Sequence, residues 1–162
     1  MRHAIFLVGL YDGNKSNCSI MKTILRFAAL ALLLGSPLLL SAQVVDQEVH
    51  RVVFQVTKGE QADQQQVIGQ LNNILRALPN AEIEVICHGT ALPLVLHAES
   101  QVAAGVTDLL GRGVVFAACE NTMRRAKASK EDLISGVITV PSALAEIILK
   151  QEQGWAYIKA GN

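Results

Sequence analysis

At 162 residues, with 14 Lys and Arg balanced by 14 Asp and Glu, the chain has the length of one domain and lacks the net basicity of a nucleic-acid-binding protein. Three cysteines are too few for a small domain built on a disulfide framework.

The first 42 residues read as a leader. From Met21, Lys22 and Arg26 make a short basic opening and residues 27–34 an unbroken apolar block. Gly35-Ser36-Pro37 interrupts it, Leu38-Leu39-Leu40 resumes it, and Ser41-Ala42-Gln43 offers small residues for cleavage after Ala42. That is the three-part plan of a secretory signal. The broken apolar stretch falls short of the ~20 residues a spanning helix needs. The polar residues ahead of Met21 do not suit a signal, so translation is expected to begin at Met21. The expected mature chain is 43–162, periplasmic or secreted, with no stable membrane span. It carries ten Lys and Arg against thirteen Asp and Glu, a net charge of −3. Arg124-Arg125-Ala126-Lys127 is its densest basic cluster and reads as a solvated helix face, so no nucleic-acid partner is expected.

Within the mature part, Val52-Val53-Phe54-Gln55-Val56 predicts a first strand, stopped by Thr57-Lys58-Gly59. Val67, Ile68, Leu71, Ile74, Leu75 and Leu78 then fall on one helical face, which Pro79-Asn80 ends. Ile83-Glu84-Val85-Ile86-Cys87 predicts a second strand, broken by His88-Gly89. Short helices are expected over 92–98 and 101–110, and Gly111-Arg112-Gly113 turns the chain into a third strand at 114–118. A helix follows from about Asn121, then a fourth strand at 137–140. Pro141-Ser142 opens a last helix carrying Leu144, Ile147 and Ile148. Residues 154–158 close the chain as a fifth strand. Alternating strands and helices, with strands that are apolar runs, predict an α/β three-layer sandwich. Its five-stranded, mainly parallel sheet would carry helices on both faces. Chemistry in such sheets gathers at the carboxyl ends of the strands, where Lys58, Cys87, His88, Gly89, Cys119, Glu120, Asn121 and Ser142 all lie.

Gly111-Arg112-Gly113 precedes a strand, whereas a dinucleotide fingerprint must follow one; it reads as a tight turn. No phosphate-binding Gly-Lys-Ser/Thr loop and no paired-histidine zinc helix is present. Cys87, His88 and Cys119 lack the paired spacings of zinc sites, so neither cofactor nor metal is expected.

Cys119 admits two readings. A thiol where a strand meets a helix sits near the positive end of the helix dipole, and amide donors there favour thiolate. Arg124 and Arg125 add positive potential, and Glu120 opposes it. Equally, cysteine is among the most buried residue types and packs as a small core side chain. His88, at a strand end before Gly89, is suited to orient an anion or assist the thiol, or to bond locally in a loop. His97 reads as structural, and Lys58 as an anion contact or a plain loop lysine. In a flavodoxin-like order 2-1-3 the second and third strands would end two spacings apart, roughly 9–10 Å. That exceeds the ~7 Å limit for a disulfide, which would leave Cys119 free.

The segments "VVFAACENTMRRAK", "CHGTAL" and "DLISGVITVPSALAEIILKQEQGWAYIKAG" together resemble the DsrE/DsrF-like (YchN-like) family, in the branch with an Ala-Cys-x-Asn-Thr-Met segment. The resemblance spans nearly all of residues 52–161. It implies a compact α/β domain that assembles into trimers or hexamers. In sulfur-relay members a cysteine between strand and helix accepts and passes on a persulfide sulfur, and Cys119 matches it by position. His88, Gly89, Asn121, Thr122 and Lys58 are then candidate binding residues, with a sulfur donor or acceptor protein as partner. The alternative is a non-catalytic oligomeric module that binds a small ligand at the same rim.

Overall fold

The computed structural model describes residues 48–160, so the leader, the signal and its cleavage site lie outside the described residues. Strand β1 (Arg51–Val56) leads to helix α1 (Gln61–Ala77) and β2 (Glu82–Cys87). A 3-10 helix (Gly89–Val95), α2 (Ala103–Gly111) and β3 (Val115–Cys119) follow. Then come α3 (Glu120–Ala126), a 3-10 turn (Lys130–Asp132), β4 (Ile138–Val140), α4 (Ala143–Glu152) and β5 (Ala156–Ala160). Every predicted strand is present, and every pairing is parallel. Among the described residues no helix is long and apolar enough to cross a membrane.

Two of the boundaries that differ do so at glycines. The helix expected over 92–98 begins earlier, as the Gly89–Val95 3-10 helix, because Gly89 takes φ +64° directly after the extended His88. The last strand starts at Ala156, because Gly154 at φ +84° forms the turn that ends α4; both angles cost glycine little.

The strands lie in the order β4-β3-β2-β1-β5. From β1 the chain steps outward to β4, then returns across the sheet to add β5 beside β1. Parallel crossovers are right-handed, so the outward steps and the return must use opposite faces. The packing follows. On the first face Val67, Leu71 and Leu75 of α1 and Val106 and Leu109 of α2 pack on Val52, Phe54, Val85 and Phe116. On the second, α4 alone contributes Ala143 and Ile147, over Val53, Ile86, Ala117, Cys119 and Val140.

This order corrects the 2-1-3 arrangement. β2 and β3 are neighbours, with Cys87 level with Ala118, so their ends are one spacing apart rather than two. Cys87 and Cys119 are nonetheless both free, for a different reason. Side chains alternate across a strand: Cys87 and Ala118 face the first core and Cys119 the second. The sheet itself separates the thiols.

Candidate functional site

The carboxyl ends of the strands are nearly flush, with Val56 level with Cys87 and Ala160, and Cys119 level with Val140. Beyond β3 the chain enters α3, whose Met123 packs into the first core; beyond β4 it enters α4, which packs into the second. Diverging connections open a crevice between adjacent strands, and ligand sites in open α/β sheets form there. Here the connections diverge between β3 and β4, and Cys119 ends β3 at that point, beside Val140.

Cys119 is the residue that caps α3, with φ −74° and ψ 116°. Its Sγ accepts a hydrogen bond from the Ala143 backbone N–H at 3.4 Å, so the first turn of α4 points a donor at it. That is the bond the sulfur receives; the Asn121 and Thr122 amides and the Thr122 hydroxyl, in the first turn of α3, sit around it without a hydrogen bond from the cap. Burial pushes the thiol pKa up, but the Ala143 bond, with the Thr122 and Asn121 donors beside it, outweighs burial and the net shift is downward. A donor set of this kind stabilises thiolate. The residue is only 4 % exposed, yet it lies just beneath the rim rather than in the deep core, which is why burial does not prevail.

Thr122 has a second task. Its Oγ1 accepts from the Gly89 N–H at 3.1 Å. The loop after β2 is thereby tied to the first turn of α3, three residues beyond Cys119. The same loop passes close to the end of β1. A Cβ on Gly59 would lie 2.0 Å from the Thr90 carbonyl oxygen, so only glycine fits there.

Cys87 is the opposite case. It is fully buried, and desolvation alone pushes its pKa from 9.0 up to about 12. It is an inert core thiol. Because Cys87 and Cys119 face opposite cores, Cys87, His88 and Cys119 do not converge as metal ligands. Among the described residues no other group of His, Cys, Asp or Glu side chains is arranged to hold a metal ion.

His88 stands level with Cys119, one step beyond the Cys87–Ala118 pair. Its Nε2 is 2.8 Å from Gln55 Nε2, and the Tyr157 hydroxyl donates to Gln55 Oε1. Burial lowers the His88 pKa, and the Arg125 charge lowers it further. The Asn121 side chain accepts from Arg124 and so is turned to another partner. Glu120, expected to oppose the thiolate, is turned aside: Thr139 Oγ1 donates to it at 2.9 Å, and Arg124 and Lys130 lie 4.0 and 3.9 Å away. Lys58 lines a separate hollow with Gly59, Glu60, Asp63 and Thr90. A further hollow of about 660 Å³ is bounded by Gly89, Leu92, Leu96, His97, Lys127 and Asp132. His97 also anchors backbone there, its N–H donating to the Asp132 carbonyl at 2.8 Å.

Sequence reasoning missed Ala143, Gln55 and Tyr157. Ala143 acts through its backbone and leaves no side-chain signal. Gln55 did leave one, as the one polar residue within the apolar run Val52–Val56.

A family model described as "DsrE/DsrF-like family" matches residues 50–160. A solved structure of the protein of unknown function MTH1491 from Methanobacterium thermoautotrophicum is similar at 32 % identity and TM-score 0.65. The match covers 68 % of this chain and 98 % of that one. The conserved protein of unknown function BT1422 from Bacteroides thetaiotaomicron shares the fold at 13 % identity and TM-score 0.56, over 67 % of this chain and 93 % of its own. No curated protein matches.

Proposed function

Because the chain belongs to the DsrE/DsrF-like family, we propose that it is an exported sulfur carrier that holds a persulfide on Cys119. The observation that carries this reading is the Ala143 N–H bonded to the Cys119 sulfur at 3.4 Å, at the start of α3, with the thiol pKa shifted downward. Thiolate is the attacking form in sulfur exchange. The Cys119 thiolate attacks the outer sulfur of a persulfide R–S–SH. The Cys119–S bond forms as the R–S bond to that sulfur breaks, giving Cys119–S–SH and RS⁻. Charge balances and no outside oxidant is consumed. A second thiolate, on an acceptor protein, takes the sulfur by the same displacement. Export rests on the Met21-to-Ala42 sequence plan.

Incubation of the mature chain with inorganic polysulfide is expected to add the mass of one sulfur atom at Cys119 and none to a Cys119→Ser variant. A wild-type protein that stays unmodified under these conditions removes the proposal. A small-ligand module is the second reading, favoured by the hollow of about 660 Å³, a size that suits small-molecule sites. That reading expects Cys119→Ser to retain every binding property.

The carrier is also proposed to be a homo-oligomer, a trimer or hexamer. Support comes from Val115, Ile138, Leu144, Ile148 and Leu149, which are 37–59 % exposed, an unusual concentration of large apolar side chains on a small domain. Sedimentation equilibrium of the mature chain is expected to give a multiple of the chain mass. A single-chain mass at micromolar concentration contradicts it.

A further inference from the structure

Gln55 sits within β1 and is 8 % exposed. Its neighbours Phe54 and Val56 face the first core, so its side chain turns to the second face, the one that carries Cys119. An amide buried there is costly unless both ends are bonded. Both ends are: the Tyr157 hydroxyl donates to Oε1, and Nε2 meets His88 Nε2 at 2.8 Å. Strands β5, β1, β2 and β3 are consecutive neighbours. Tyr157 is level with Val53, Gln55 with Ile86, and His88 stands one step beyond the Cys87–Ala118 pair, so Tyr157, Gln55, His88 and Cys119 run in one diagonal row across the second face toward the carboxyl rim. His88 belongs to that row because its backbone is extended, φ −149° and ψ 169°, and continues the alternation past Cys87.

The chemistry of the row fixes a proton. A hydroxyl can donate to the amide oxygen, but an amide NH₂ has only hydrogens to offer. The imidazole nitrogen that meets it must present a lone pair, so the ring proton belongs on Nδ1. An imidazolium, protonated on both nitrogens, would set hydrogen against hydrogen at this contact. The charged groups around the ring agree: Arg125 is the cation that acts on it, and its charge and the ring's burial both disfavour a second proton.

We propose that Gln55 and Tyr157 are positioning residues that hold His88 as a neutral imidazole protonated on Nδ1 beside Cys119. The ring then serves the sulfur site as a hydrogen-bond donor, neither a base nor a fixed positive charge. This deepens the role proposed for Cys119 and rests on it for its purpose, although the tautomer itself does not. It also accounts for a division of labour. Charge stabilisation of the thiolate comes from the donors of Ala143, Thr122 and Asn121, so the thiolate does not depend on an imidazolium whose population changes near neutral pH.

The test is nitrogen–proton correlation spectroscopy of the mature chain labelled at histidine, with no sulfur donor present. Wild-type His88 is expected to be neutral and protonated on Nδ1. Tyr157→Phe removes the hydroxyl that fixes the amide, so the Nε2-protonated form is expected to appear. Gln55→Glu offers the ring an acceptor in place of a donor. It is expected to move the proton to Nε2, shift the His88 titration upward, and add a second step to the pH profile of Cys119 alkylation at the His88 midpoint. Wild-type His88 protonated on Nε2 overturns the proposal, because the amide then points the other way. So does a tautomer unmoved in Tyr157→Phe, which is substituted at a partly exposed position and is suited to fold if Gln55→Glu does not. Failure of Cys119 to take up sulfur overturns the carrier reading and leaves these spectra unchanged, so the two failures are distinguishable.

Discussion

Replacing Thr122 by valine is expected to slow alkylation of Cys119 at neutral pH by roughly tenfold, the lower end of what a hydrogen bond to a charged group is worth. The hydroxyl is among the groups that pull the thiol pKa down, and valine keeps its shape without its proton. Part of the loss in thiolate is offset, because a thiolate of higher pKa is a better nucleophile. Stability should fall as well, by about 1–3 kcal/mol, since the Gly89 N–H that bonds Thr122 at 3.1 Å is left without its acceptor. Thr122→Ser restores the hydroxyl and should recover both properties. Stopped-flow alkylation and urea unfolding of the three proteins measure them. A valine variant that reacts at the wild-type rate shows that the hydroxyl does not hold the thiolate.

The largest expected effect on stability lies at the other end of the second face. Glu84 is a carboxylate within β2 and is 4 % exposed. Its Oε2 is 2.6 Å from Lys150 Nζ, while its Oε1 has no partner among the described residues. Lys150 is itself largely covered, with its ammonium 4.3 Å from the centroid of the Trp155 ring and 3.8 Å from Glu146. A buried pair adds little over an apolar replacement, but removing one partner strands the other charge, at a cost of about 3–5 kcal/mol. Lys150→Ala should lower the unfolding free energy by that amount, read from the denaturant midpoint. Lys150→Met combined with Glu84→Gln should recover much of it. A loss below ~1 kcal/mol for Lys150→Ala would class the pair with exposed salt bridges.

The strands were legible because each is a run of β-branched and apolar residues, closed by glycine or a polar cluster. Their order was not. An apolar run such as Ile83-Glu84-Val85-Ile86-Cys87 specifies burial on both faces and says nothing about which strand lies beside it. The 2-1-3 order failed there, although the expectation of a free Cys119 survived on different grounds. The place of Cys119, between a strand and a helix, was readable from local pattern. The group that activates it most, the N–H of Ala143, lies 24 residues away and belongs to another crossover. Gln55 and Tyr157 are 102 residues apart; only the return of the chain to β1 brings them together. Arg124 and Arg125 were read as sources of positive potential for the thiol. In the fold Arg124 bonds Asn121, and Arg125 bears on His88. Glu120, readable only as an opposing charge, is drawn off by Thr139.

The pH dependence of Cys119 follows from the direction of its shift. The folded thiol releases its proton at lower pH than the unfolded chain, whose thiol titrates near 9.0. The ionised sulfur therefore contributes stability in full above that value, and the contribution is lost as pH falls through the folded-state pKa. The reactivity of the folded protein must follow the same ionisation. The most direct measurement is the rate of Cys119 alkylation as a function of pH in the mature chain, with Cys119→Ser as the blank. The account predicts one ionisation step, below that of a small free thiol, with Cys87 silent until the protein unfolds. A midpoint at or above the free-thiol value, or a Cys119 that reacts only after unfolding, would contradict it and return Cys119 to the core.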